Sequence, residues 1–161
     1  MTCVMEGARP VLAEVQALLT PTSFGTPRRS TNGFDYNRAI LLMAVLEKRG
    51  GLGVNTCDAY MNVIGGLSLD EPGADLAAIL ALASSFRDKP VPADLVAIGE
   101  VGLTGELRAV SALNHRLSEV SRLGFTKCLI PQQHGKQSIV PPKGLQLIPV
   151  KNIRDALAVL L

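Results

Sequence analysis

The chain contains no tryptophan and few other aromatics, four Phe and two Tyr among 161 residues. Its core must therefore be built by close packing of Leu, Val, Ile and Ala rather than by ring contacts. Charge is also scarce: 19% of residues are charged against 47% hydrophobic, which excludes a disordered chain. A net charge of +2 argues for neither nucleic acid nor membrane on its own, so only a local basic cluster could do so. No apolar run approaches the roughly 18 residues of a membrane span, and the N-terminal residues lack the apolar core of a signal peptide. Cys3, Cys57 and Cys128 are odd in number and widely spaced, with no CxxC among them. Neither His115 nor His134 stands at metal-ligand spacing from a cysteine. The expectation is a soluble, cytoplasmic domain spanning 1–161, with reduced, buried thiols, no metal and no membrane partner.

What is present reads as mixed α and β. Val11 to Leu19 alternates loosely and predicts a strand, and Pro21 to Asn32 reads as a loop carrying Arg28 and Arg29. Asp35 is placed to cap a helix running to about Arg49, apolar on most sides and stopped by Gly50, Gly51 and Gly53. A short strand over Ala59 to Ile64 precedes a second buried helix, about Ala74 to Phe86, with Pro72 near its start. Leu95 to Ile98 predicts a strand, and Val101 to Leu107 a hairpin punctuated by glycine. Leu113, Leu117, Val120 and Leu123 recur at helical spacing, which puts Asn114, His115, Arg116, Ser118 and Glu119 on the polar side. Cys128 to Ile130 predicts a buried strand, and Ile153 to Leu161 a last helix. Strict βαβ alternation is missing, so the fold class is α+β, with mixed sheets packed against helices.

Several chemical motifs fail. Gly135-Lys136-Gln137-Ser138 resembles the end of a phosphate loop, but the Lys is not followed by Ser or Thr and Ile130 stands where the first glycine should be. Gly99 to Gly105 falls between short strands, where tight turns explain it. No G-x-S-x-G elbow accompanies His115 or His134. A pairing of Ser84 or Ser85 with Lys89 would fall at a helix end, where serine commonly satisfies backbone groups.

The stretch Asp70-Glu71-Pro72-Gly73-Ala74-Asp75 resembles the D-G-P-S-A-G signature of Lon proteases. Gly99-Glu100, Leu103, Gly105 and the run Gly124-Phe125-Thr126-Lys127-Cys128-Leu129-Ile130-Pro131 continue in the same register. The resemblance implies the Lon protease-like fold (ribosomal protein S5 domain 2-like), a serine nucleophile at position 73 and a lysine base at position 116. Here those positions hold Gly73, which has no side chain, and Arg116, whose guanidinium does not give up a proton. Asp75 stands where Lon has glycine, and a carboxylate there would repel a developing oxyanion. An Asp75–Arg116 salt bridge across the old cleft is expected, with Glu71 as the other carboxylate within reach of Arg116. The implied result is a pseudoprotease with no catalytic residue. The alternatives are a peptidase using Ser68 or Ser84 with Lys89, and a relic cleft that binds a peptide.

A more specific resemblance covers nearly the whole chain. Glu6-Gly7-Ala8-Arg9-Pro10, Pro27-Arg28-Arg29, Gly33-Phe34-Asp35-Tyr36-Asn37-Arg38 and Asn62-Val63-Ile64-Gly65-Gly66 look like the C-terminal Lon-like domain of the RadA (Sms) family of bacterial DNA-repair proteins. Ala8 and Gly73 depart from that family's commoner Thr and Ala. The resemblance implies a domain of a recombinational DNA-repair, DNA-dependent ATPase that forms hexameric rings on single-stranded or branched DNA with other recombination proteins. Its ATP, Mg and zinc sites map to no residue here, so no cofactor is expected in this domain. Arg28, Arg29, Arg38, Lys48 and Arg49 are the candidates for contact with DNA or with a neighbouring subunit. Their blander alternatives are salt bridges and complementation of a helix dipole.

Overall fold

The computed structural model describes residues 1–23, 25–132 and 139–160. The chain opens with a hairpin of β1 (Thr2–Glu6) and β2 (Arg9–Ala13), closed through Gly7 at φ 61°, a left-handed geometry that favours glycine. β3 (Val15–Pro21) follows after one residue but joins a different sheet. The single strand expected over 11–19 is thus two strands. Ala13 and Val15 are buried on either side of exposed Glu14, so the alternation runs through the break while the pairing partners change.

β4 (Arg29–Asn32) lies inside the segment expected to be a loop. Its residues are polar and partly exposed, with Thr31 its one branched side chain and no apolar alternation, and it holds its shape as an edge strand. α1 (Tyr36–Gly50) begins at Asp35, whose carboxylate accepts the Arg38 amide at 2.9 Å, and ends at Gly51 with φ 74°. After a 3-10 turn (Val54–Thr56), β5 (Cys57–Val63) forms the centre of the sheet, antiparallel to β3 and parallel to β4. A second 3-10 turn (Pro72–Ala74) leads into α2 (Asp75–Arg87), buried on nearly every face because β3, α1 and α4 (Ile153–Leu160) all pack on it.

β6 (Leu95–Ala97), the hairpin β7 (Glu100–Val101) and β8 (Leu107–Arg108), and α3 (Leu113–Arg122) follow. β9 (Lys127–Pro131) is the middle of an all-parallel sheet between β6 and β10 (Gln146–Val150). β10 is a strand that periodicity did not suggest; its proline, Pro149, is tolerated at the sheet edge. Both faces of this sheet are covered. Leu95, Ala97 and Leu129 point into a core shared with α1, α2 and α4, while Val96, Ile98, Cys128 and Ile130 point into a second core under α3. The architecture is α+β, and its two cores meet at the turn that carries Gly73.

Candidate functional site

Gly73 sits in the 3-10 turn before α2 and is buried, with its carbonyl accepting the Gly99 amide at 3.0 Å. The amide of Leu76 in turn reaches the Gly99 carbonyl at 3.1 Å, so the start of α2 is laced to the strand end beyond β6. A Cβ at Gly73 would lie 2.8 Å from Arg116 Nη1, 2.8 Å from Glu71 Oε1 and 3.4 Å from Val110 Cγ1. The two positions singled out by the Lon resemblance are therefore neighbours, and the Glu71–Arg116 ion pair crowds the space a side chain at 73 would take.

Arg116 is 1% exposed, although its charge assigned it to the polar side of α3. Its Nε donates to the Ser111 carbonyl at 2.9 Å and its Nη1 to the Cys3 carbonyl at 3.0 Å. Nη2 pairs with Glu71 and reaches Ser111 Oγ at 3.4 Å. The other Glu71 oxygen accepts the Met5 amide at 2.7 Å. Strand β1 is thus fastened to α3 and to the Gly73 turn through one carboxylate and one guanidinium. Such a pair costs desolvation and holds because nearly every donor finds an acceptor.

The expected Asp75–Arg116 bridge is not formed. Asp75, 1% exposed in the first turn of α2, accepts from Arg38 Nε at 2.9 Å, from Arg38 Nη2, and from the Val101 amide at 3.0 Å. Positions 73 and 75 point away from one another around the turn, so Asp75 faces α1 and the β7–β8 hairpin while Arg116 rises toward β1. Burial of the pair raises no conflict, because the Arg38 guanidinium grips both carboxylate oxygens. The hydrogen bond to Asp75 holds the Arg38 guanidinium above its ordinary value, against the opposing pull of burial.

The other basic candidates are dispersed. Arg29 donates to the carbonyls of Cys57, Arg28 (3.3 Å), Val54 (3.5 Å) and Asn55 (3.4 Å), which closes the first 3-10 turn. Arg28 is exposed, and its amide donates to Asp58 Oδ1 at 2.7 Å. That bond, more than any other contact, lowers the Asp58 carboxyl below the usual range. Lys48 and Arg49 are exposed in the last turn of α1, where Arg154 Nε donates to the Arg49 carbonyl at 2.7 Å. Arg154 was not among the expected residues; it comes from the opposite end of the sequence and no spacing signals it.

Two serines of the rival reading, Ser84 and Ser85, are engaged elsewhere. Ser84 Oγ donates to the Lys89 carbonyl at 2.5 Å, Ser85 Oγ accepts the Leu19 amide at 2.9 Å, and Ser68 is exposed in the loop after β5. His115 is exposed on α3, while His134 and the Gly135 to Ser138 stretch lie outside the described residues. Burial pushes the Cys3 thiol up to about 12, with Arg116 pulling the other way, and raises Cys128 as well, so neither is a ready nucleophile. Among the described residues no cluster of His, Cys, Asp or Glu could hold a metal ion.

Residues 57–161 match the family model described as Lon protease (S16) C-terminal proteolytic domain. The chain is 53% identical over 158 residues to DNA repair protein RadA of Bacillus subtilis, covering 98% of this chain and 34% of that protein. It is 51% identical over 153 residues to DNA repair protein RadA of Streptococcus pneumoniae, covering 95% and 36%. With DNA repair protein RadA of Synechocystis the identity is 47% over 161 residues, covering 100% and 31%. The chain spans about a third of the length of these curated relatives. With this match over nearly every residue, the chain belongs to the Lon protease C-terminal domain family, in the form carried by RadA.

Proposed function

We propose that this chain is a Lon-type domain without peptidase activity, serving a RadA-type DNA-repair ATPase by holding a ring, hexameric in the parent protein, and by contacting DNA. The observation that carries the reading is the Glu71–Arg116 pair standing where a nucleophile's side chain would lie. Acyl transfer needs an activated nucleophile, a base able to accept its proton and donors aimed at the oxyanion. Gly73 supplies no nucleophile and Arg116 no base, and Asp75 puts a carboxylate beside the helix start. A peptide-binding relic has little room, because Arg116 is buried and Met5 and Cys3 already take the polar groups of the cleft.

DNA contact falls to the exposed cations, Arg28, Lys48 and Arg49, rather than to Arg29 and Arg38, whose guanidinium donors serve the chain itself. Cations meeting phosphates make binding fall steeply with salt. ATP, Mg and zinc belong, on this reading, to the remainder of a longer parent.

A fluorogenic-peptide assay, with mass measurement and single-stranded DNA binding at two salt concentrations, tests the proposal. The expected result is no turnover, with DNA affinity that drops as salt rises. Turnover abolished by Ser68→Ala or Ser84→Ala would return the chain to the peptidases.

A further inference from the structure

The arginines paired with carboxylates leave one basic cluster unaccounted for. Lys48 and Arg49 at the end of α1, Thr104 and Gly105 at the tip of the β7–β8 hairpin, and Asn152, Ile153 and Arg154 at the start of α4 line one cleft of about 230 Å3. Three cations enter it and no Asp or Glu lines it. Among the described residues none of Lys48, Arg49 and Arg154 has a carboxylate within ion-pair distance. At neutral pH such a cleft gathers positive potential in one concave place.

Its walls are fixed. Ile153 donates to the Gly105 carbonyl at 2.9 Å, Leu107 to the Lys151 carbonyl at 2.9 Å, and Arg154 Nε to the Arg49 carbonyl at 2.7 Å. Arg49 Nε reaches the Leu103 carbonyl at 3.4 Å. Gly105 has φ 81°, and a Cβ there would come 3.0 Å from Arg49 Cβ, so glycine is what lets the arginine stem lie against the hairpin. The Nε groups of both arginines bond to backbone carbonyls, which leaves their outer guanidinium nitrogens to serve as donors. The volume falls below the roughly 300–1,000 Å3 of ordinary organic-ligand pockets and suits a compact oxyanion with its water.

We infer that this cleft is a phosphate site, in which Lys48 and the outer nitrogens of Arg49 and Arg154 supply charge and the Asn152 amide supplies a polar contact, the Thr104 side chain being bonded to Glu106. The phosphate comes either from a free polyphosphate or from a nucleic-acid backbone; only the second source rests on the DNA reading above.

The test is an NMR titration of the chain with pyrophosphate and, separately, with a short single-stranded oligonucleotide. Pyrophosphate is expected to move the backbone amides of Thr104, Gly105 and Asn152. The Lys48→Gln/Arg49→Gln pair should weaken that binding at least about tenfold, the loss of one charge-assisted contact or more. Lys48→Gln alone, which disturbs no backbone bond, should weaken it in the same direction. Arg9→Gln/Arg122→Gln removes equal charge from exposed sites on the β1–β2 hairpin and α3, and should bind as the parent does. An oligonucleotide that displaces pyrophosphate from these amides assigns the phosphate to a nucleic-acid backbone. An oligonucleotide that leaves them unmoved assigns the cleft to free polyphosphate, and the DNA reading then fails at this site while the phosphate site stands. Unmoved amides with pyrophosphate, or equal binding by the Lys48→Gln/Arg49→Gln pair, would overturn the inference.

Discussion

Arginine gathers at two places, the Gly73 turn and the α1–α4 corner, and the chemistry around it differs completely. At the turn, Arg116 is buried and surrounded by Glu71, Ser111 and the Cys3 carbonyl. At the corner, Arg49 and Arg154 meet only carbonyls of neighbouring loops and face a cleft without carboxylates. The same side chain is a structural tie in one setting and an open donor in the other. What separates them is the nearest carboxylate, and that is fixed by segments far apart in the chain, Met5 and Glu71 against Arg116, Leu103 and Arg154 against Arg49.

Breaking the first site should have the largest consequence. Arg116→Ala leaves Glu71, the Cys3 carbonyl and Ser111 without their partner, and is expected to destabilise the fold by about 3–5 kcal/mol in denaturant titration. Combining Arg116→Met with Glu71→Gln should cost less than the two changes summed, since the pair is coupled. Asp75→Asn weakens the grip of Arg38 on the start of α2 and should cost about 2 kcal/mol by the same measurement.

The thiol of Cys3 sharpens the contrast, because its own carbonyl accepts from Arg116. Burial raises its folded value to about 12 from 9.0, so the stabilisation it contributes is whole below pH 9 and is lost as pH rises through the folded value. A thiol reagent at neutral pH should modify Cys3 slowly in the parent and markedly faster in Arg116→Ala, followed by peptide mass mapping. At the corner, by contrast, Lys48→Gln/Arg49→Gln should change stability by no more than about 0.5 kcal/mol, since exposed charges outside a network contribute little. A large loss there would erase the distinction between the two sites.

The sequence made the helices legible where capping and periodicity agreed. Asp35 and Gly51 bound α1 as expected, and Leu113, Leu117 and Val120 are buried along α3. Arg116 follows Leu113 by three residues and precedes Val120 by four, so it stood on the apolar face all along; its charge disguised it. β4 escaped notice because its polar residues take their shape from pairing with β5, and β10 because Pro149 interrupts its short apolar run of Leu147, Ile148 and Val150. The motifs singled out positions 73 and 116, and the fold brings them side by side. The separate ion partners were not readable, since Glu71 and Asp75 are both near in sequence and only the direction of each side chain decides which arginine it meets.

The space beside Gly73 also bears on descent. A serine placed there would press against Arg116 and Glu71, and a lysine placed at 116 alone would face a carboxylate and find no hydroxyl. Either single step is expected to disturb the Glu71–Arg116 pair, so on the proposed reading this packing opposes the appearance of a serine–lysine pair one residue at a time.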